Sequence, residues 1–157
     1  MAVPKSRSKK KYYTAREANA TLPLVRAIVR DITDLARDLQ DRHERLSRVT
    51  PPGRQTIGEP WAEELRHMRE DFERDRQRMQ TFEEELRNLG VELKDFKIGL
   101  IDFPCLMNNR EVCLCWKLDE PEVAFWHEVE AGFAGRQRLP ANGADGKPEA
   151  RLMTSDN

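Results

Sequence analysis

Nowhere does the sequence run to about 18 consecutive apolar residues, the least a membrane-spanning helix needs, so no span is expected. Its start, MAVPKSRSKKKYY, lacks the apolar core of a secretory signal. That lack favours a cytoplasmic location. Neither sign of charge is in excess: 27 Lys and Arg face 28 Asp and Glu, so no global pull toward nucleic acid or a membrane surface is implied. Cysteines number only three, and an odd count argues against a fully paired disulfide framework. They are read as thiols or ligands. Apolar side chains are scarce at 38% and charged ones plentiful at 35%, against about 45–50% and 25% in a typical domain. A 157-residue chain of this kind is about one domain. It cannot wrap a large spherical core. It suits long helices with a narrow apolar seam and broad charged faces.

Such helices are visible. Thr14 followed by Glu17 has the spacing of a capping box. Thr21, Leu22 and Pro23 form a second start signal, because proline is tolerated in a first turn. The expectation is a short helix ending near Ala20 and a long one from about Leu22. In the long one Val25, Ile28, Ile32, Leu35, Leu39, Arg42, Leu46 and Val49 alternate by three and four, an a/d seam broken only by Arg42. TPPGRQTIGEP then makes a loop, with Pro60 placed to start the next helix. There Trp61, Leu65, Met68, Phe72, Asp75, Met79, Phe82, Leu86 and Leu89 repeat the seam, and Gly90 fits a C-terminal cap. The two seams predict an antiparallel, coiled-coil-like hairpin over residues 13–90. Centred on the loop, the register puts Arg42 near Met68 and Asp75 near Leu35. Each charge must then reach out of the seam or find a partner. Leu24, Val29 and Ala36 widen the first helix's apolar face and suggest a homodimer through the hairpin.

After Gly90 the period changes to two. GLIDFPCL, REVCLCWKL and EVAFWHEV predict a three-stranded antiparallel meander within residues 91–139, packed on the base of the hairpin. The fold class is α+β. Residues 1–12 read as a disordered basic tail without a strong nucleic-acid signal, and residues 140–157 as a second disordered tail.

Pairing across MNNR sets Asp102 beside Cys115 and Pro104 beside Cys113. Pairing across DEPE sets Cys113 beside His127 and Cys115 beside Phe125. One face then holds Ile101, Phe103, Cys105, Val112, Leu114, Trp116, Ala124 and Trp126, which should meet the helices. The other holds Asp102, Cys113, Cys115, Phe125 and His127. Three readings of that second face compete. The cysteines are small packing residues. Or Cys115, His127, Asp102 and Cys113 form a mixed sulfur, nitrogen and oxygen site suited to zinc or iron. Or a thiol is a nucleophile activated by His127. On the helices, Glu63 and Glu64 precede His67 at metal-ligand spacing, with His43 within about a turn of it across the hairpin. So many charges surround them that a solvated face is the better reading.

The segment GVELKDFKIGLIDFP through REVCLCWKLDEPEVAFWHEVEAGFAGRQRL resembles a bacterial family known as domain of unknown function 2203. Its features are the GLIDFP strand, CW, an acidic turn, WH and a terminal GFAGR; YTAREANATLPLV is also similar. The likeness covers roughly residues 13–139 and implies a small bacterial cytosolic protein. It draws attention to Asp102, Cys115, Glu120, His127 and Arg136, and leaves Cys113 outside the pattern. The expected function is a structural or interaction module. The alternative is a metal-binding protein or metal-dependent enzyme using the Cys/His/Asp cluster.

Overall fold

A computed structural model describes residues 10–49 and 59–140. It is α+β: two long helices, α1 (Ala15–Val49) and α2 (Glu59–Asn88), precede one antiparallel sheet. The strands are β1 (Glu92–Asp95), β2 (Leu100–Met107), β3 (Arg110–Lys117), β4 (Phe125–Glu128) and β5 (Gln137–Arg138), in the spatial order β1-β2-β3-β4-β5. No helix among the described residues is long and apolar enough to cross a membrane. Residues 1–9, the loop 50–58 and the tail 141–157 lie outside the described residues, as do the side chains of Val49, Glu59, Pro60 and Trp61.

The capping box forms as expected. The Glu17 N–H donates to Thr14 Oγ1 at 3.1 Å, and the Thr14 N–H donates to Glu17 Oε1 at 3.0 Å. The expected break near Ala20 does not occur; α1 runs through Pro23 without interruption. Proline there removes one helical hydrogen bond to the Asn19 carbonyl. Burial outweighs that loss, since Ala18, Leu22 and Val25 lie on one stripe and are all within the core. At the end of α2 the chain turns through Gly90, whose φ of 81° is in the left-handed region. The Val91 N–H reaches the Leu86 carbonyl at 3.0 Å, the long bond of a Schellman cap.

The core lies between α1, the end of α2 and one face of the sheet. Val25, Val29, Ile32 and Leu86 meet Ile101, Phe103, Val112, Leu114, Trp116 and Trp126 there. Farther along the helices the seam residues Leu39, Leu46, Leu65, Met68 and Phe72 are only half-buried. The two charges in the seams find partners, and Arg42 lines a groove with Met68 as the register expects. They meet each other: Arg42 Nη1 is 2.7 Å from Asp75 Oδ2, and Asp38 and Arg78 extend the pair into a four-residue network. Val29 is fully buried in this core, so it contributes nothing to an outer apolar face; Leu24 is exposed.

The sheet has five strands where the sequence predicts three. The two additional ones are its edges. Glu-Leu-Lys-Asp in β1 is interrupted by a bulge, and Gln-Arg in β5 is two residues long. Short, charged strands of this kind protect a sheet edge from further pairing, and the same charge hides them from a search for apolar alternation. β2 and β3 are joined by the expected Asn108–Asn109 turn, with φ of 57° and 65°. That pairing suits a right-twisted two-residue hairpin.

Candidate functional site

The register between strands is the one that the turn lengths predict. Asp102 pairs with Cys115 and Pro104 with Cys113. Cys113 pairs with His127 and Cys115 with Phe125. Asp102, Cys113, Cys115 and His127 therefore share the face turned away from the helices.

His127 does more than sit on that face. β4 and β2 are separated by β3, about 9.6 Å apart at the usual strand spacing. The imidazole spans that gap and brings Nε2 to 3.1 Å from Asp102 Oδ1. Cys115 lies beside this bridge, as the cross-strand partner of Asp102. One ligand atom from each of Asp102, Cys115 and His127 falls within 4.8 Å of the others, and all three residues are buried. Asp102 is 3% exposed, His127 2% and Cys115 0%. Among the described residues this is the one group of Cys, His, Asp and Glu drawn so close. Cys113 is not part of it. It is half-buried and lines the adjacent groove.

The ring has a fixed tautomer. Nδ1 lies 2.7 Å from the Glu128 carbonyl oxygen, which only accepts, so Nδ1 carries hydrogen. Nε2 is thus the atom offered to a proton or a metal, with the other ring nitrogen anchored on a carbonyl. Metal-binding histidines are held in this way.

Burial pushes the Cys115 thiol up to about 12, reinforced by the Asp102 charge. Cys113 and the core-facing Cys105 are likewise pushed up to about 12, chiefly by burial. Thiols so far above their usual range are protonated at neutral pH, and the thiolate is the attacking species. Either cysteine would therefore need a base or a metal beside it to ionise.

Glu120 and Arg136 form a clasp beside the cluster. Arg136 Nη2 donates to both Glu120 oxygens at 2.8 and 2.7 Å, and Glu120 Oε1 also accepts the Lys117 N–H at 3.1 Å. The guanidinium stacks 4.0 Å from the Phe125 ring centre and 4.7 Å from that of Phe133. Phe125 is the cross-strand neighbour of Cys115. The clasp ties the final segment down near the thiol, and Glu120 is fully engaged in doing so.

On the other side a groove of about 770 Å³ reaches the cluster. Asp102, Pro104 and Cys113 lie along it, with Glu92 and Gly90 from the turn after α2 and Lys10 from the segment before α1. That segment is strapped down. The Tyr13 N–H donates to the Pro104 carbonyl at 2.7 Å, its hydroxyl to the Leu89 carbonyl at 2.6 Å, and Lys10 pairs with Glu111 at 2.6 Å. No spacing in the sequence marks this groove, because its walls come from separate segments.

On the helices, His67 and Glu64 are exposed, and Glu63 pairs with Arg66. The Glu-x-x-His spacing is not brought into a tight ligand group.

The residues that carry the resemblance in the sequence thus gather in one place: Asp102, Cys115 and His127 as a cluster, Glu120 and Arg136 as its neighbour. A family model described as "Uncharacterized conserved protein (DUF2203)" matches residues 11–139. The chain belongs to this family. No curated protein and no solved structure matches it. The DUF2203 match spans both helices and the whole sheet, so the cluster lies inside the family's domain, as does the groove except for Lys10.

Proposed function

We propose that the protein is a metal-binding module, with Asp102, Cys115 and His127 as the protein ligands of a zinc or ferrous ion. The reading is carried by one observation: a carboxylate oxygen, a sulfur and an imidazole nitrogen lie within 4.8 Å of one another in a buried position. Ligand atoms around tetrahedral zinc stand about 3.3 Å apart, from metal–ligand distances near 2.0–2.1 Å. The 3.1 Å between His127 Nε2 and Asp102 Oδ1 fits that scale. Three protein ligands leave one position for water or a substrate, and the groove beside Asp102 and Cys113 supplies the approach. Cys113 is the side chain nearest in sequence to serve there as an alternative fourth ligand.

The rest of the chain acts as the scaffold. We read α1 and α2 as an antiparallel, coiled-coil-like hairpin. Two contacts support this: Arg42 meets Asp75, and Leu46, farther along α1, shares a groove with Phe72 and Met68, which come earlier in α2. Unpaired thiols suit a reducing, cytoplasmic setting.

The test is elemental analysis of protein purified without a metal-affinity tag, followed by zinc and cobalt titration. About one equivalent per chain is expected, with proton release because the thiol must ionise. Bound cobalt should show a thiolate-to-metal absorption band that is lost in Cys115→Ser. His127→Ala and Asp102→Asn should weaken binding by an order of magnitude or more. Purified protein with no stoichiometric metal, and no uptake of zinc or cobalt at micromolar concentration, rejects the proposal. The cluster is then a hydrogen-bonded clamp across β3.

A further inference from the structure

Beyond the sheet, the two helices enclose a second groove of about 570 Å³, remote from the cluster. Leu46 comes from α1, Met68 and Phe72 from α2, and all three are half-buried. They continue the same apolar seam that is fully covered where the helices lie over the sheet. Val25, Ile32 and Leu86 are 0–1% exposed there. The rim of the groove carries both signs of charge. Arg45 on α1 and Arg69 on α2 line it, as do Asp71 and Glu73 on α2. Arg45 and Arg69 make no ion pair among the described residues. Asp71 and Glu73 are engaged only by Arg74 and Arg76, exposed neighbours on their own helix.

We propose that this groove is a homodimer interface, in which a second copy of the chain lays its own helix pair to make a four-helix bundle. A closed two-fold interface requires a surface complementary to itself. An apolar floor rimmed by two uncommitted guanidiniums and two loosely held carboxylates meets that requirement. The two-fold sets Arg45 and Arg69 of one protomer against Asp71 and Glu73 of the other. The local pairs those carboxylates give up are exposed and contribute little. A partner of one charge sign would satisfy only half of the rim. The net charge of −1 gives two copies no long-range repulsion to overcome. Half-buried seam residues become the core of the bundle, as in other four-helix arrangements. The proposal does not depend on metal binding at the sheet.

Sedimentation velocity on the full chain at tens of micromolar tests it. A species of twice the 18.3 kDa chain mass is expected. Met68→Glu, which puts a carboxylate on the groove floor, should give monomer with helical circular dichroism retained. Arg45→Glu, an exposed change that leaves the fold intact, should weaken association at least about tenfold, and adding Asp71→Arg should restore it. Wild-type protein that stays monomeric overturns the proposal, whether residues 50–58 fill the groove or it stays open. A dimer unaffected by both single substitutions places the interface elsewhere and overturns it equally.

Discussion

Replacing Gly99 by alanine should destabilise the protein more than the same change at Gly132. Both glycines have left-handed φ, 69° and 68°. A side chain costs about 1–2 kcal/mol in the left-handed region, and about 1–3 kcal/mol at Gly132, where ψ is −167°. The surroundings differ. A Cβ on Gly132 meets nothing within 4 Å. A Cβ on Gly99 would stand 2.7 Å from Val29 Cγ1, 2.9 Å from Leu118 Cβ and 3.3 Å from Thr33 Cγ2. Val29 and Thr33 are buried on α1 and have no free space to retreat into. Overpacking of this kind costs about 1–3 kcal/mol. The sum for Gly99→Ala is about 2–5 kcal/mol, a fall in Tm on the order of 10 °C for a domain of this size. Gly132→Ala should lose only the backbone part. Urea unfolding followed by tryptophan fluorescence gives both values, and an unchanged m-value would confirm that the unfolded state is the same. Equal losses at the two positions would refute the close approach of the β1–β2 turn to α1. That approach matters for the site, because it holds β2 where Asp102 enters the cluster three residues later.

Three further perturbations have defined outcomes. Cys105, Cys113 and Cys115 sit at about 12 in the fold, against 9.0 for an ordinary thiol. Below pH 9 they are protonated in both states. Between 9 and 12 the unfolded chain releases protons that the native one keeps, so stability falls as pH rises through that window. The urea midpoint should drop there, less steeply in Cys105→Ala, and a slope unchanged by that substitution would argue against the buried thiol. Asp75→Leu should cost about 1–3 kcal/mol by leaving Arg42 in the seam, and Arg42→Leu added to it should recover most of the loss. Strictly additive effects in that cycle would mean that the pair is not coupled. Arg136→Lys keeps the charge but loses the stacking of the guanidinium on two rings. It should destabilise by about 1–2 kcal/mol and speed amide exchange at residues 137–139; unchanged exchange would show that the clasp does not hold β5.

The site was legible where short turns control geometry. Two asparagines at 108 and 109 admit one tight hairpin, and that alone sets Asp102 opposite Cys115. The gap before β4 was longer, yet alternation around Phe125 and His127 left one parity that buried Trp126. What no pattern could convey was the reach of His127 across a whole strand, since pleat parity specifies a side and not a distance. The clasp between Glu120 and Arg136 joins residues through an irregular stretch with no period to read. Edge strands escaped for a related reason: their charges make them resemble loops. Pro23 misled in the opposite direction, because a local rule for helix starts yielded to a buried stripe that extends on both sides of it. In the seams, Arg42 and Asp75 were visible as misfits, but their meeting depended on how far one helix slides along the other.

The sheet is a pure meander, each strand paired with its neighbour in the chain, and the two helices are also consecutive. Hairpins of this sort assemble quickly because their loops are short. Docking α1 onto the sheet is a long-range step by contrast, closing a loop of some ninety residues at the Tyr13–Pro104 contact. Tyr13, gripping the Pro104 and Leu89 carbonyls at once, works as the latch that records when that docking has happened.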